Sequence, residues 1–119
     1  MNWLDLLNDF KTEYRKIIQT LLKEYTAAEL DNLLLLLLQE SYSEIYMILK
    51  SQIKEPLNVI SRDLLEKYTK LLTLANIYIR ESKIESGERI RNLVMEAIYN
   101  IRKAAGTREN YIFMIKDLN

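Results

Sequence analysis

Residues 30–42 read LDNLLLLLLQESY, with leucine at every position from 33 to 38. An amphipathic helix alternates apolar and polar faces, and six residues span more than one turn at about 3.6 residues per turn. Such a run cannot lie on one face, so some of its leucines point away from the core stripe. A membrane span needs roughly 20 predominantly apolar residues. Asp31, Asn32, Gln39 and Glu40 bracket the run closely, so no membrane span is expected. At about 100° per residue, Leu30, Leu34, Leu38, Ile45 and Leu49 share one stripe, with Leu37 and Tyr42 at its edges. Leu36 falls on the opposite face, among Asn32, Gln39, Glu40, Ser43 and Lys50, and Met47 returns to nearly the same direction. Leu33 lies between the two faces. Leu33, Leu36 and Met47 thus form a second, narrower apolar stripe of the kind a secondary contact surface has. Either another helix of the same chain covers it, or a protein partner does, a second copy included.

Working outward, Thr26 to Glu29 reads TAAE, a capping box that starts this helix, and Pro56 favours a boundary just downstream of its end. The expected span is 27–53. Ser41 to Glu44 offers a second capping box, but the stripe keeps its phase across Ser41 and a continuous helix is expected. Upstream, Trp3, Leu7, Phe10, Tyr14, Ile17, Leu21 and Tyr25 recur at steps of four and three, predicting one helix over 2–25 capped by Asn2. Downstream, Ser61 caps a helix over 62–81 with Leu64, Tyr68, Leu71 and Ala75 facing inward. The stretch ESKIESGE reads as a charged turn containing Gly87. A fourth helix over 88–105 buries Ile90, Val94, Ala97, Ile101 and Ala105, with Gly106 as its left-handed stop. Residues 108–117 form a short final segment. The fold expected is all-α, a single domain over 1–119 built as a four- to five-helix bundle with short connections.

Composition narrows the chemistry. The chain has no cysteine and no histidine, so disulfides, thiolate nucleophiles and the usual imidazole bases and metal ligands are excluded together. Carboxylates remain, as Asp63 with Glu66 and as Glu81, Glu85 and Glu88. Each group sits beside a cation at helical spacing, Glu66 with Lys70 and Glu85 with Arg89, so a solvated ion-pair surface explains them. Gly87 and Gly106 stand alone and make no phosphate loop. No catalytic residue, cofactor or metal site is expected. Tyr14, Tyr25, Tyr42 and Tyr68 lie on apolar stripes, where rings pack and hydroxyls reach the rim.

Formal net charge is zero, with 17 basic and 17 acidic residues, so no global field recruits nucleic acid or an anionic membrane. Residues 80–119 are slightly basic, with eight cations against six anions. On the fourth helix Arg91, Tyr99 and Arg102 share a sector, a basic and aromatic face suited to phosphates and bases but diluted by Glu88 and Glu96. The segment ERIRNLVMEAIYNIRKAAG, residues 88–106, resembles the Arg-containing long helix in the helical domain of archaeal GINS replication subunits. That resemblance covers under a fifth of the chain, and no residue role is carried over from it. The N-terminal MNWLDLLNDF has neither a basic region nor a small-residue cleavage site, so a cytoplasmic protein is expected. Abundant Ile, Lys, Tyr and Asn fit an AT-rich genome, a thermophile's included. The function expected is a non-enzymatic helical protein–protein interaction module, a homodimer or a small subunit of a larger assembly, with Leu33, Leu36 and Met47 at the partner interface. The alternative is a nucleic-acid-associated subunit that uses Arg91, Tyr99 and Arg102.

Overall fold

The three caps named from the sequence all form. Asn2 Oδ1 accepts from the Asp5 N–H at 3.2 Å, Thr26 Oγ1 from the Glu29 N–H at 3.3 Å, and Ser61 Oγ from the Leu64 N–H at 3.2 Å. Thr26 also donates its hydroxyl to the Glu29 carboxylate at 2.8 Å, which locks the cap from both sides. In the computed structural model, which describes the backbone of residues 1–118 and the side chains of residues 1–105, these caps open α1 (Trp3–Glu13), α3 (Ala27–Lys50) and α4 (Arg62–Arg80). The remaining helices are α2 (Arg15–Leu21) and α5 (Ile84–Leu118), and a single 3-10 turn at Pro56–Asn58 joins α3 to α4. No strand occurs among the described residues, and the chain is an all-helical bundle.

The helices run up and down. Trp3 meets the Tyr42 ring edge-on at 5.4 Å and Lys11 pairs with Asp31 at 2.7 Å, so α1 is antiparallel to α3. Arg91 pairs with Glu44, and Arg102 donates to Ser51 Oγ at 2.9 Å, so α5 runs parallel to α3. Between them lies α4, antiparallel to both. It is the most enclosed helix, exposing only Arg62, Asp63, Lys67 and Arg80.

The core forms two clusters along the bundle. One gathers Leu6, Leu7, Phe10, Ile18 and Leu22 of the N-terminal helices onto Leu34, Leu37, Leu38, Leu74 and Ile77. The other packs Ile45, Leu49, Ile53, Ile60, Leu65 and Leu72 against Val94, Ile98 and Ala105. At the level where they meet, Ser41, Thr69 and Thr73 are fully buried. Thr69 donates its hydroxyl to the Leu65 carbonyl at 2.7 Å and Thr73 to the Thr69 carbonyl at 2.8 Å. Ser41 and Thr73 hydroxyls lie 2.9 Å apart across the α3–α4 contact. Because their hydroxyls bond to carbonyls one turn back, these threonines present methyl groups to the core and pack as apolar residues. For that reason the inward face of α4 is Leu65, Thr69, Leu72, Thr73 and Ala75, while Leu64, Tyr68 and Leu71 are only half-buried.

Three expected boundaries change. The stripe over 2–25 is two helices, because Tyr14 has φ −115° and ψ 30°, outside helical geometry. Phe10, Ile18 and Leu22 are buried on either side of it. Steps of four drift by about 40° each around an unbroken helix, and the break separates the two phases. The turn before α5 is also tighter than ESKIESGE suggests. Ser82 adopts φ 66°, its N–H donates to the Ile79 carbonyl at 3.2 Å, and the Lys83 N–H donates to the Tyr78 carbonyl at 2.7 Å. This is a Schellman stop with serine at the left-handed position. Gly87 then lies inside α5 rather than in a loop, buried where α5 crosses α4. A Cβ there would come 2.7 Å from the Ala75 carbonyl oxygen and 2.5 Å from Ile79 Cγ1. Finally, α5 does not stop at Gly106 but takes in the segment over 108–117, since a single glycine costs a helix only about 1 kcal/mol relative to alanine. The side chains of that segment lie outside the described residues.

Two substitutions on the α4–α5 hairpin should act in opposite directions. Gly87→Ala forces the helices apart and should destabilise by about 1–3 kcal/mol. Ser82→Gly relieves a left-handed residue and should raise the melting temperature, with a gain of up to about 1 kcal/mol after the entropy of glycine is counted. Thermal melts followed by circular dichroism measure both.

Candidate functional site

The six leucines divide around α3. Leu34, Leu37 and Leu38 are buried, Leu33 and Leu35 are half-buried, and Leu36 is 52% exposed. Met47 is 64% exposed in the same direction. Among the described residues, no other helix of the chain covers Leu36 and Met47. Leu33 departs from the expected interface because its half-buried side chain packs on the cluster around Phe10 and Leu34. The outward strip of α3 is Leu36, Glu40, Ser43, Met47 and Lys50, all exposed.

Two further apolar side chains flank it. Leu4 of α1 is 66% exposed, and it precedes Lys11, which reaches α3 at Asp31, by seven residues. Ile84 of α5 is 53% exposed and precedes Arg91, which reaches α3 at Glu44, by the same interval. Residues seven apart differ by only about 20° around a helix, so Leu4 and Ile84 both stand on the flanks that face α3. In the register set by Arg91 with Glu44, Ile84 comes level with Leu37, next to Leu36. Leu36 and Met47 thus lie toward the α5 side of α3, with Ile84 nearby, while Leu4 stands on α1 across the outer strip from them. Sequence reasoning found the α3 pair but not its flanks. Leu4 lies off the α1 stripe, and Ile84 sits in a stretch that reads as a turn.

The basic and aromatic face is largely absorbed by packing. Arg91 makes a two-pronged ion pair with the Glu44 carboxylate, half-buried on both sides. Arg102 lies over the Tyr99 ring at 4.6 Å and donates to Ser51, whose own hydroxyl donates to the Ile48 carbonyl at 2.6 Å. These residues brace α5 against α3. Only Tyr99, 45% exposed, projects freely from the set.

The carboxylates considered for chemistry are held in ion pairs or stand apart. Glu66 pairs with Arg62 at 3.1 Å instead of with Lys70, because Lys70 reaches across to Glu13 at 2.5 Å. Glu85 pairs with Arg89 at 3.7 Å in full exposure. Among the described residues, no three carboxylates gather in a way that would hold a metal ion, and no helix is long and apolar enough to cross a membrane. A cleft of about 200 Å³ lies where α1 begins, lined by Met1, Tyr42, Leu57, Ile60, Arg62 and Leu65. It is mainly apolar and carries no acid–base pair.

Tyr42 links that cleft to an aromatic ladder, with Trp3 edge-on to it, Tyr46 stacked on it at 6.1 Å and Lys50 over the Tyr46 ring at 5.6 Å. Burial, and secondarily the neighbouring Tyr46 hydroxyl, pushes the Tyr42 hydroxyl above its ordinary pKa. Burial does the same for Tyr14, reinforced by Glu13 and opposed by Lys70.

Comparison with protein-family models, with curated proteins and with solved structures gives no significant match to this chain.

The two tyrosines predict an alkaline limit. Their folded-state pKa values lie above the ordinary value of 10.0, so the folded chain holds protons that the unfolded chain has released. Stability is then fully present below about pH 10 and falls as pH rises through the raised folded values. Melts across this range should show the decline, and Tyr14→Phe with Tyr42→Phe should flatten it.

Proposed function

We propose that the chain is a non-enzymatic helical interaction module, a homodimer or a small subunit of a larger assembly, and that it docks through the outer face of α3. One observation carries this reading. A helix whose inner face holds six buried residues, Leu34, Leu37, Leu38, Ser41, Ile45 and Leu49, turns Leu36 and Met47 to solvent on the other side, and Ile84 of α5 and Leu4 of α1 are exposed as well. Exposed apolar groups that cluster on one face, with a polar surround, are the usual signature of a docking surface. The residue types present support a binding role over a catalytic one, since neither histidine nor cysteine is available. A nucleic-acid role through Arg91, Tyr99 and Arg102 draws less support, because Arg91 is neutralised by Glu44 and Arg102 is engaged by Ser51 and Tyr99.

Two leucine variants separate core from interface. Leu34→Ala should destabilise the fold by roughly 2–5 kcal/mol through lost burial and a residual cavity. Leu36→Lys should melt as cooperatively as the parent while losing association in sedimentation velocity, because a charge then enters an apolar contact. A parent chain that stays monomeric at high micromolar concentration and recovers no partner from its source cells would reject the proposal.

A further inference from the structure

Leu36 and Met47 stand eleven residues apart on α3, which places them about 16 Å apart along the helix axis and within about 20° around it. Glu40 and Ser43 lie between them on the same exposed strip. Two apolar knobs at the ends of a short polar strip form a self-complementary pattern. A two-fold axis at the level of Ser41 and Tyr42 brings Leu36 of one copy onto Met47 of the other, and does so twice. In this arrangement the same patch serves both copies, as an isologous contact requires, and each Glu40 comes level with Ser43 of the other copy. Parallel pairing instead sets Glu40 against Glu40 at the centre of the contact.

Charge along the helix favours the same reversal. Exposed Glu29 lies at the start of α3, whereas exposed Lys50 ends it and exposed Lys54 follows. Antiparallel pairing sets the acidic end of one helix beside the basic end of the other and opposes the two helix dipoles, whereas parallel pairing sets like against like. The balance of 17 basic and 17 acidic residues leaves no net charge to keep two copies apart. Leu4 and Ile84, on the flanks, widen the contact beyond a single helix, as a stable dimer of about 800 Å² per partner requires.

We infer that the partner of this face is a second copy of the chain, joined through α3 in antiparallel register with Leu36 of each copy on Met47 of the other. The inference rests on the docking reading of α3 given above and adds to it the occupant and the register.

Because the chain has no cysteine, single introduced thiols report the register without background. Leu36→Cys and Met47→Cys are prepared separately, mixed in equal amounts under mild oxidation, and compared with each variant alone and with Lys67→Cys, which places a thiol on exposed α4. The mixture should form covalent dimer at least about tenfold faster than the Lys67→Cys control, since docked thiols meet at high effective concentration. Leu36→Cys alone should stay at the control rate, because its two copies would sit about 16 Å apart and a disulfide needs Cα atoms within about 7 Å. Rapid crosslinking of Leu36→Cys alone overturns the antiparallel register but leaves α3 as a self-docking face. No crosslinking above control, with a parent dimer that Leu36→Lys still abolishes, also overturns the register alone. No crosslinking together with a monomeric parent overturns the second copy as occupant, and the docking reading then stands or falls on the Leu36→Lys comparison with a captured partner.

Discussion

Two hydroxyls fix how the central helices meet. Ser41 and Thr73 lie 2.9 Å apart in a site with no exposure, Thr73 is also within reach of the Thr69 and Leu37 carbonyls, and Ser41 has Thr73 as its hydroxyl partner across the helix contact. Both side chains are small, so α3 and α4 approach closely at this level, and the two apolar clusters lie on either side of it. A buried hydroxyl left without its partner costs about 1–3 kcal/mol, so the pair sets the rotation and axial register of α3 on α4. Everything outward follows from that rotation. With Leu34, Leu37, Leu38, Ser41, Ile45 and Leu49 directed inward, helical geometry leaves Leu36, Ser43 and Met47 on the opposite side.

The architecture was legible because its signals are local. Asn2, Thr26 and Ser61 cap helices through hydrogen bonds spanning three residues, and such bonds depend on little beyond the adjacent sequence. The apolar period of α3 likewise names its buried face. What escaped sequence reasoning was decided at a distance. Thr69 and Thr73 read as polar, yet the carbonyls one turn back satisfy them, which rotates the inward face of α4 away from Leu64, Tyr68 and Leu71. Gly87 reads as a turn residue until the Ala75 carbonyl is seen pressed against it. Lys70 finds Glu13, which is 57 residues away, in place of its helical neighbour Glu66. The exposed face was half legible for the same reason. Leu36 and Met47 follow from one helix's period, whereas Leu4 and Ile84 join them only once α1 and α5 are placed on either side of α3.

These flanking contacts also engage two basic residues of α5, Arg91 and Arg102, in packing against α3. Arg91 and Arg102 hold α5 parallel to α3, a pairing that no short turn enforces, and their polar contacts supply orientation where the apolar core supplies adhesion. The Arg91 charge is balanced by the Glu44 carboxylate, while Arg102 keeps its charge and is held by the Ser51 hydroxyl and the Tyr99 ring.

The three-residue stop between α4 and α5 has a kinetic meaning. These helices share the most extensive helix–helix contact in the chain, and they are neighbours in sequence, so closing their hairpin orders very little intervening chain. A contact so local carries the lowest closure cost in the fold. The N-terminal arm of α1 and α2 completes the other core cluster, bringing Leu6, Leu7, Phe10, Ile18 and Leu22 onto α3 and α4. Beyond its buried apolar residues, the arm is tied to α3 by the Trp3–Tyr42 contact and the Lys11–Asp31 pair and to α4 by Lys70 on Glu13. Lifting that arm would uncover Leu34, Leu37, Leu38, Leu74 and Ile77 along with it, so the inner face of α3 stays dry only while the arm is down, and the outer face keeps its rigidity on the same condition.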